Sequence, residues 1–132
     1  MTIREITIAD YKNLIPFWKT NYFVNTMDNK DRFELFLEKN YNLSLLAEEN
    51  EKIFGTALGS FDGRRGYIQK VVVDREYRKK GLGQQLVQKV IEKLRLLGAT
   101  YIPISVEEEN IHFYENCGFK KTKQAPMNIE IK

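Results

Sequence analysis

One stretch decides how this chain of 132 residues folds: Val71-Val72-Val73-Asp74-Arg75-Glu76-Tyr77-Arg78-Lys79-Lys80-Gly81-Leu82-Gly83-Gln84. Its β-branched start is typical of a strand, and from Leu82 to Leu97 apolar residues recur at helical spacing. Between strand and helix lies a basic loop with two glycines, which let the backbone turn tightly and approach a ligand closely. Because the N–H groups of such a loop and of a helix start attract anions, the stretch predicts a pyrophosphate-binding turn.

Outward from this stretch, strand and helix patterns alternate along the chain in the order β-α-α-β-β-β-α-β-α-β-β. The strands Tyr67–Val73 and Thr100–Val106 flank the long helix, which predicts a right-handed parallel crossover. An α/β fold follows, with a mixed central sheet and helices on both faces. Pro103 has no N–H, so we expect the fourth and fifth strands to splay apart there. The other predicted elements are strands over Thr2–Ile8, Leu43–Glu48, Lys52–Phe61, Phe119–Thr122 and Met127–Ile131, and helices that start at Asp10, Asp31 and Ile111.

Length and composition limit the class of protein. A chain of this length is the size of a single domain, here residues 1–132. Its 42% hydrophobic and 30% charged residues are ordinary for a folded globular protein and exclude intrinsic disorder. The apolar runs are too short to span a membrane, and the charged start Met1–Glu5 does not resemble a secretory signal. With Cys117 as the one cysteine, we expect no internal disulfide and a cytoplasmic location.

The loop excludes two common phosphate-binding motifs and resembles a third. Gln84 follows Gly83 where a P-loop has lysine, and Leu86 stands where the dinucleotide fingerprint has its third glycine. Arg78-x-x-Gly81-x-Gly83 resembles the Arg/Gln-x-x-Gly-x-Gly/Ala signature of the GNAT superfamily, the GCN5-related N-acetyltransferases. Further along, Val106, Asn110 and Phe113–Phe119 resemble the second motif of that family. The turn Asp62–Gly66 is also similar to that of short bacterial members of the YpeA type.

The resemblance implies a GNAT fold and a set of residues that bind acetyl-CoA. Backbone N–H groups of the loop are then expected to hold the pyrophosphate, and the end of the preceding strand to pair with the pantetheine arm. Asn110 is expected to steady that arm through its side-chain amide. The residues that the resemblance assigns to acetyl-CoA are Val71, Val72, Val73, Arg78, Lys79, Lys80, Gly81, Leu82, Gly83, Gln84 and Asn110.

The resemblance also implies the chemistry, in which an amine attacks the acetyl group directly. Tyr114 is then the general acid that protonates the leaving thiolate. The chain departs from the family in two places: Asn110 and Tyr114 are four residues apart instead of seven, and Ser105 stands where many relatives have glutamate. The base is then Glu107, Glu108, Glu109 or a chain of water molecules, and the sequence does not choose among them. No metal is expected, because one Cys and one His give no metal-ligand spacing.

The acceptor is expected to be a small-molecule or peptide amine, and a homodimer is possible. Two other functions stay open: an acyl-CoA-binding module without catalysis, and a small basic domain that binds nucleic acid through Arg64–Lys80. The net charge of only +3 argues against the second. Aromatic residues of the predicted first two helices and their loop are candidates for an acceptor pocket, although at this spacing they also suit a core. These residues are Trp18, Tyr22, Phe23 and Phe33.

Overall fold

A computed structural model describes residues 1–132. Four strands form one antiparallel sheet in the order β1-β2-β3-β4. They are β1 (Thr2–Glu5), β2 (Leu45–Glu49), β3 (Lys52–Phe61) and β4 (Gly66–Val73). Tight turns join β2 to β3 and β3 to β4, so neighbouring strands in the sequence are also neighbours in the sheet, as is usual for short connections.

Four α-helices cover the two faces of this sheet, as the sequence predicts. They are α1 (Tyr11–Asn21), α2 (Lys30–Lys39), α3 (Leu82–Leu96) and α4 (Ile111–Asn116). Helix α1 continues through Pro16. Helix α2 begins one residue before Asp31, because Asn29 is the residue whose side chain accepts the N–H of Arg32 at the start of the helix. No helix is long and apolar enough to cross a membrane.

The alternation of side chains along the strands divides the core into two layers. On β2, Leu45 and Ala47 face the layer under α3, and Leu46 faces the layer under α1 and α2. The α3 layer contains the stripe Leu86, Val90 and Leu94, which is completely buried. The α1 layer is built around Trp18, whose indole N–H donates to Thr56 Oγ1 at 3.0 Å.

The C-terminal part differs from the prediction. Residues 100–106 run beside the start of β4, where the Gly66 N–H donates to the Tyr101 carbonyl at 3.0 Å, but no strand is assigned there. No strand is assigned at 119–122 or 127–131 either. The sheet is therefore purely antiparallel and not mixed. Residues 104–107 nevertheless diverge from β4, since the two segments line opposite sides of an open cavity, so the predicted splay separates β4 from a segment that is not a strand.

Candidate active site

The basic loop between β4 and α3 presents a row of free backbone donors. No N–H from Lys79 to Gln84 donates to another part of the chain. Two left-handed residues shape the turn, Lys79 with φ of 65° and Gly81 with φ of 82°. Gly81 then caps a helix of 15 residues. Free N–H groups at the positive end of a helix form an anion site, so the loop has the geometry that a pyrophosphate requires.

Gly83 is required by close packing instead of by its backbone angle. A Cβ at this position would lie 3.1 Å from Phe113 Cζ and 3.2 Å from Val73 Cγ2. The start of α3 therefore packs directly against the end of β4 and against α4. This close contact brings the free donors of the loop to the open edge of the sheet.

The Arg78 side chain joins this loop to the end of α1. Its Nε donates to the Val73 carbonyl and its Nη2 to the Asn21 carbonyl, both at 3.1 Å. The Asn21 side chain is buried and accepts the N–H of Arg75 at 2.9 Å. The sequence places Arg78 among the residues that bind acetyl-CoA. In the structure its guanidinium donates to two main-chain carbonyls and so holds the loop in place.

The end of β4 has free backbone groups on its outer edge. The Asp74 N–H donates inward, to the Phe54 carbonyl of β3 at 2.8 Å. Because successive residues of a strand point their N–H groups to opposite edges, Val71 and Val73 present theirs outward. Val72 instead pairs with Thr56 on β3 and has a buried side chain. Val71 and Val73 are thus available to an extended amide chain, and Val72 contributes packing.

A β-bulge in β4 places a charged side chain in the wall of the cavity. Two residues of β4, Lys70 and Val71, oppose the single residue Ala57 of β3, and Lys70 has φ of 52°. The Lys70 ammonium lies 3.0 Å from Asp28 Oδ2 and donates to the Phe23 carbonyl at 2.8 Å. Its Nζ also lies 4.8–5.5 Å from the ring centroids of Trp18, Tyr22 and Phe23. Lys70 therefore fastens the segment between α1 and α2 to the sheet.

The cavity between β4, the α1–α2 segment and residues 104–110 has a volume of about 600 Å³. Its lining is mixed, with aromatic rings beside polar and charged groups, which suits a small organic ligand. Asn110 and Tyr114 both line it. Asn110 directly precedes α4, which starts at Ile111, and Tyr114 follows four residues later, about one helical turn. Both residues therefore line the same cavity despite the short spacing of the second motif.

Tyr114 is partly buried between Phe113 and Phe119, with both ring pairs edge-on. Burial raises the pKa of the Tyr114 hydroxyl to about 12, and the nearby Cys117, Tyr22 and Tyr67 add to the increase. This phenol is therefore fully protonated at neutral pH and is able to donate a proton.

Comparison with known proteins identifies the chain. The model of the acetyltransferase (GNAT) family matches residues 7–119, which is most of the sequence. The chain belongs to the GNAT family. The family predicted from the two motifs is confirmed, while the likeness to the YpeA type stays a prediction.

Solved GNAT structures share the fold over nearly the whole chain. Glucosamine-6-phosphate N-acetyltransferase from Arabidopsis thaliana is 24% identical with a TM-score of 0.75, and the match covers 99% of this chain and 98% of that one. PaiA N-acetyltransferase from Thermoplasma acidophilum, in complex with coenzyme A, is 16% identical with a TM-score of 0.80, covering 94% and 92%. An aminoglycoside 6'-N-acetyltransferase from Acinetobacter haemolyticus is 14% identical with a TM-score of 0.78, covering 100% and 99%. At these identities the likeness establishes the GNAT fold.

The structure separates the aromatic residues that the sequence groups together as acceptor candidates. Tyr22, Phe23 and Phe33 line the cavity of this GNAT chain, but Trp18 does not. Trp18 is completely buried in the α1 layer, where Thr56 and Phe33 surround it. Its face of α1 points into the core, so Trp18 contributes packing there.

The cavity separates the members of the acidic run Glu107–Glu109, and the lone cysteine and histidine of the chain lie away from it. Of the acidic run, Glu107 lines the cavity and Glu108 and Glu109 do not. Burial raises the pKa of Tyr22, and the charge of Glu107 raises it further, so these two side chains are near each other. Cys117 is buried in the α3 layer, where burial raises the pKa of its thiol. His112 is exposed and does not line the cavity.

Lys70 and Tyr67 are among the residues of this GNAT cavity that sequence reasoning missed. Both lie on β4, where the run Tyr67–Val73 is typical of an ordinary strand. The signal for Lys70 is a bulge with positive φ, which single-sequence patterns do not show. Tyr67 lines the cavity because residues 104–107 diverge from β4, and only that divergence could have indicated its role.

The basic segment Arg64–Lys80 does not form one surface. Arg64 and Arg65 are in the β3–β4 turn, where Asp62 Oδ1 accepts both N–H groups at 2.7 Å. Arg78 and its basic neighbours follow the other end of β4, a separation of roughly 25 Å for eight strand residues. No group of three or more His, Cys, Asp or Glu side chains is placed to hold a metal ion.

Proposed function

We propose that this GNAT chain is an N-acetyltransferase that moves the acetyl group of acetyl-CoA to the amine of a small molecule or peptide, in the cytoplasm. The observation that carries the proposal is the meeting of two features at the open edge of β4. One is the row of free N–H donors from Lys79 to Gln84, and the other is the cavity that Tyr114 lines. Family membership supports acetyl transfer in general.

The residues present fit acetyl-CoA. The loop donors suit the pyrophosphate because each is free and they end at the N-terminus of α3. The outward N–H groups of Val71 and Val73 suit the pantetheine amides in the manner of an added strand. Lys80 is exposed beside Tyr77 and Arg75 is also exposed, so both add positive charge around the loop.

The reaction needs two proton transfers, and the cavity offers a group for each. Bound acetyl-CoA supplies the thioester whose carbonyl carbon the amine attacks. Tyr114 gives its hydroxyl proton to the departing sulfur. Glu107 accepts the proton that the amine loses, either directly or through water. Backbone donors at the end of β4 stabilise the charge that develops on the carbonyl oxygen.

The neutral state of Tyr114 suits this role. A phenol with a pKa of about 12 is protonated whenever the enzyme meets its substrates. Its partly buried ring is fixed by Phe113 and Phe119, which keeps the hydroxyl at the cavity.

The division of the basic segment argues against a nucleic-acid-binding surface, because a duplex or strand is bound by a continuous positive stripe. The alternative of binding acyl-CoA without catalysis differs from the proposal in one measurable quantity, turnover.

Calorimetric titration with acetyl-CoA, repeated with dephospho-CoA, tests the first half of the proposal. One saturable site is expected. Transfer is then measured as thiol release and as acetylated product by mass spectrometry, with a panel of polyamines, amino sugars, amino acids and peptides. Failure to bind acetyl-CoA at millimolar concentration overturns the whole proposal. Binding without transfer to any amine supports the non-catalytic module.

A further inference from the structure

The charged side chains that line the cavity are not all paired. They are Asp28, Arg32, Lys70 and Glu107. Asp28 and Lys70 pair with each other at 3.0 Å, and both side chains are nearly buried. Arg32 and Glu107 form no ion pair with any residue of the chain. The cavity therefore offers a ligand one free cation and one free anion.

The Arg32 guanidinium is exposed at the cavity wall and has no partner. Its backbone N–H donates to Asn29 Oδ1 at 3.0 Å, which places Arg32 in the first turn of α2. The nearby carboxylate of Asp28 is already occupied, because its Oδ2 accepts the Asn25 N–H at 2.9 Å and faces the Lys70 ammonium. A guanidinium presents its donors as a planar fork that fits a carboxylate or a phosphate with two parallel hydrogen bonds. The free fork of Arg32 suits an anionic group of a bound ligand.

Arg32 and Glu107 belong to different parts of the cavity wall. Arg32 is on α2, whereas Glu107 follows the segment 104–106 that diverges from β4. The proposed acid Tyr114 is on α4, which comes shortly after Glu107 in the chain. The groups assigned to proton transfer thus come from residues 107–114, and α2 is left to contact the rest of the acceptor through Arg32, Phe33 and Phe36.

We propose that the acceptor is a small amine that also carries one anionic group, a carboxylate or a phosphate, and that Arg32 selects it. This inference rests on the proposed acetyl transfer. The ammonium form of such an acceptor pairs with Glu107, and its anionic group pairs with Arg32. Each free charge of the cavity then has a partner, and Glu107 is in place to take the proton that the amine must lose.

The same charges disfavour the other classes of amine. A polyamine or an aminoglycoside brings two or more positive charges to a cavity with a single free carboxylate, and the excess charge is repelled by Arg32. A neutral amine, or a peptide N-terminus without an acidic group, leaves the Arg32 fork unpaired. Only an acceptor with both an ammonium and an anion complements the free charges of the cavity.

Acetyl transfer to matched amines tests the proposal. The probes are the straight-chain amino acids from glycine to aminohexanoate, each compared with the alkylamine and the diamine of equal length. Phosphoethanolamine, compared with ethanolamine, distinguishes a phosphate from a carboxylate. We expect kcat/KM for the best anionic amine to exceed that for its matched alkylamine by about tenfold or more, because a hydrogen-bonded charge pair is lost in the alkylamine. The matched diamine should be the poorest of the three.

The variant Arg32→Met should abolish this advantage by raising KM for the anionic amine, while kcat and the affinity for acetyl-CoA stay nearly constant. Arg32 is exposed, so the circular dichroism spectrum should not change. Arg32→Lys keeps the charge without the fork and should retain part of the preference. Arg64→Met is the matched control, because Arg64 is also an exposed arginine but does not line the cavity.

An alkylamine or a diamine that is acetylated as efficiently as its anionic counterpart would overturn the proposal. So would a preference for anionic amines that survives in Arg32→Met. If no amine is acetylated, the proposed function fails, and calorimetric titration with the same amines decides the inference by itself. Tighter binding of an anionic amine that is lost in Arg32→Met would then support Arg32 as the anion-binding residue, and equal binding of anionic and neutral amines, or none, would refute it.

Discussion

The loop proposed to bind acetyl-CoA and the cavity proposed to bind the acceptor lie at the same edge of β4, yet they are built in different ways. The loop is local: residues 78–84 supply its donors, its left-handed turn and the start of α3. The cavity is assembled from the α1–α2 segment, α2, β4 and residues 104–114, which are far apart in the sequence. The loop works through its backbone, and the cavity works through its side chains. Substitutions should therefore separate binding of acetyl-CoA from transfer of the acetyl group.

The largest effect is expected for Tyr114→Phe, which removes the proposed acid and keeps the ring. Loss of a general acid lowers kcat by about 10²–10⁴-fold. The affinity for acetyl-CoA should not change, because the loop donors are intact. Steady-state kinetics and calorimetry on the same preparation measure the two quantities. Tyr41→Phe, at a remote and exposed tyrosine, is the matched control. If acetyl-CoA affinity falls as much as kcat, Tyr114 is part of the acetyl-CoA binding site, and binding and transfer are not separated between the loop and the cavity.

A second effect is expected for Lys70→Met, which removes the ammonium that fastens the α1–α2 segment. Asp28 then loses its partner in a site where both side chains are nearly buried, so the free energy of unfolding should fall by about 3 kcal/mol. Urea denaturation measures this loss. Lys52→Met is the control, because the Lys52 side chain is exposed and its ammonium lies 3.9 Å from Asp74, a long ion pair worth less than about 1 kcal/mol.

The same variant sharpens the comparison of the two regions. With the α1–α2 segment loosened, the KM for the amine should rise while acetyl-CoA affinity stays constant. Equal losses for both substrates would mean that the segment is coupled to the loop, for which the contact of Arg78 with Asn21 offers a route.

Gly81→Ala, in the loop, should lower the affinity for acetyl-CoA, which the two preceding variants leave unchanged. An alanine with φ near 82° costs about 1–2 kcal/mol and shifts the turn that aims the donors. Affinity for acetyl-CoA should fall roughly tenfold, which is about 1.4 kcal/mol. Gly63→Ala is a close control: its φ is 96°, and an added Cβ meets nothing within 4 Å there either. Both variants should lose similar stability, and only the Gly81 variant should lose affinity for acetyl-CoA.

The smallest effect is expected on the alkaline side of the pH profile. Because the pKa of Tyr114 is raised to about 12, its proton is still in place well above the ordinary tyrosine value of 10.0. The rate with saturating substrates should therefore show no descending limb up to about pH 11. A fall centred near pH 10 would contradict the raised pKa of Tyr114.

The parts of the fold that could be predicted are those in which neighbouring residues carry the signal. The stripe Leu86, Val90 and Leu94 predicted α3, and strand-forming residues between polar turns predicted β3 and most of β4. The C-terminal strands at 119–122 and 127–131 were also predicted, but no strand is assigned at either segment. A local pattern shows that a segment suits a strand and does not provide the partner strand, which has to come from tertiary structure.

The site divides in the same way. The sequence by itself determined the anion-binding loop, because two glycines, a basic run and a helix start are all local and need no distant partner. Only the tertiary structure decided which side chains face the cavity. Trp18 lies in the core, and Glu107 lines the cavity whereas Glu108 and Glu109 do not. Lys70 lies in the cavity wall because of the bulge in β4. The physical reason is that a backbone turn is set by its own residues, whereas a cavity exists only where separate elements fail to touch.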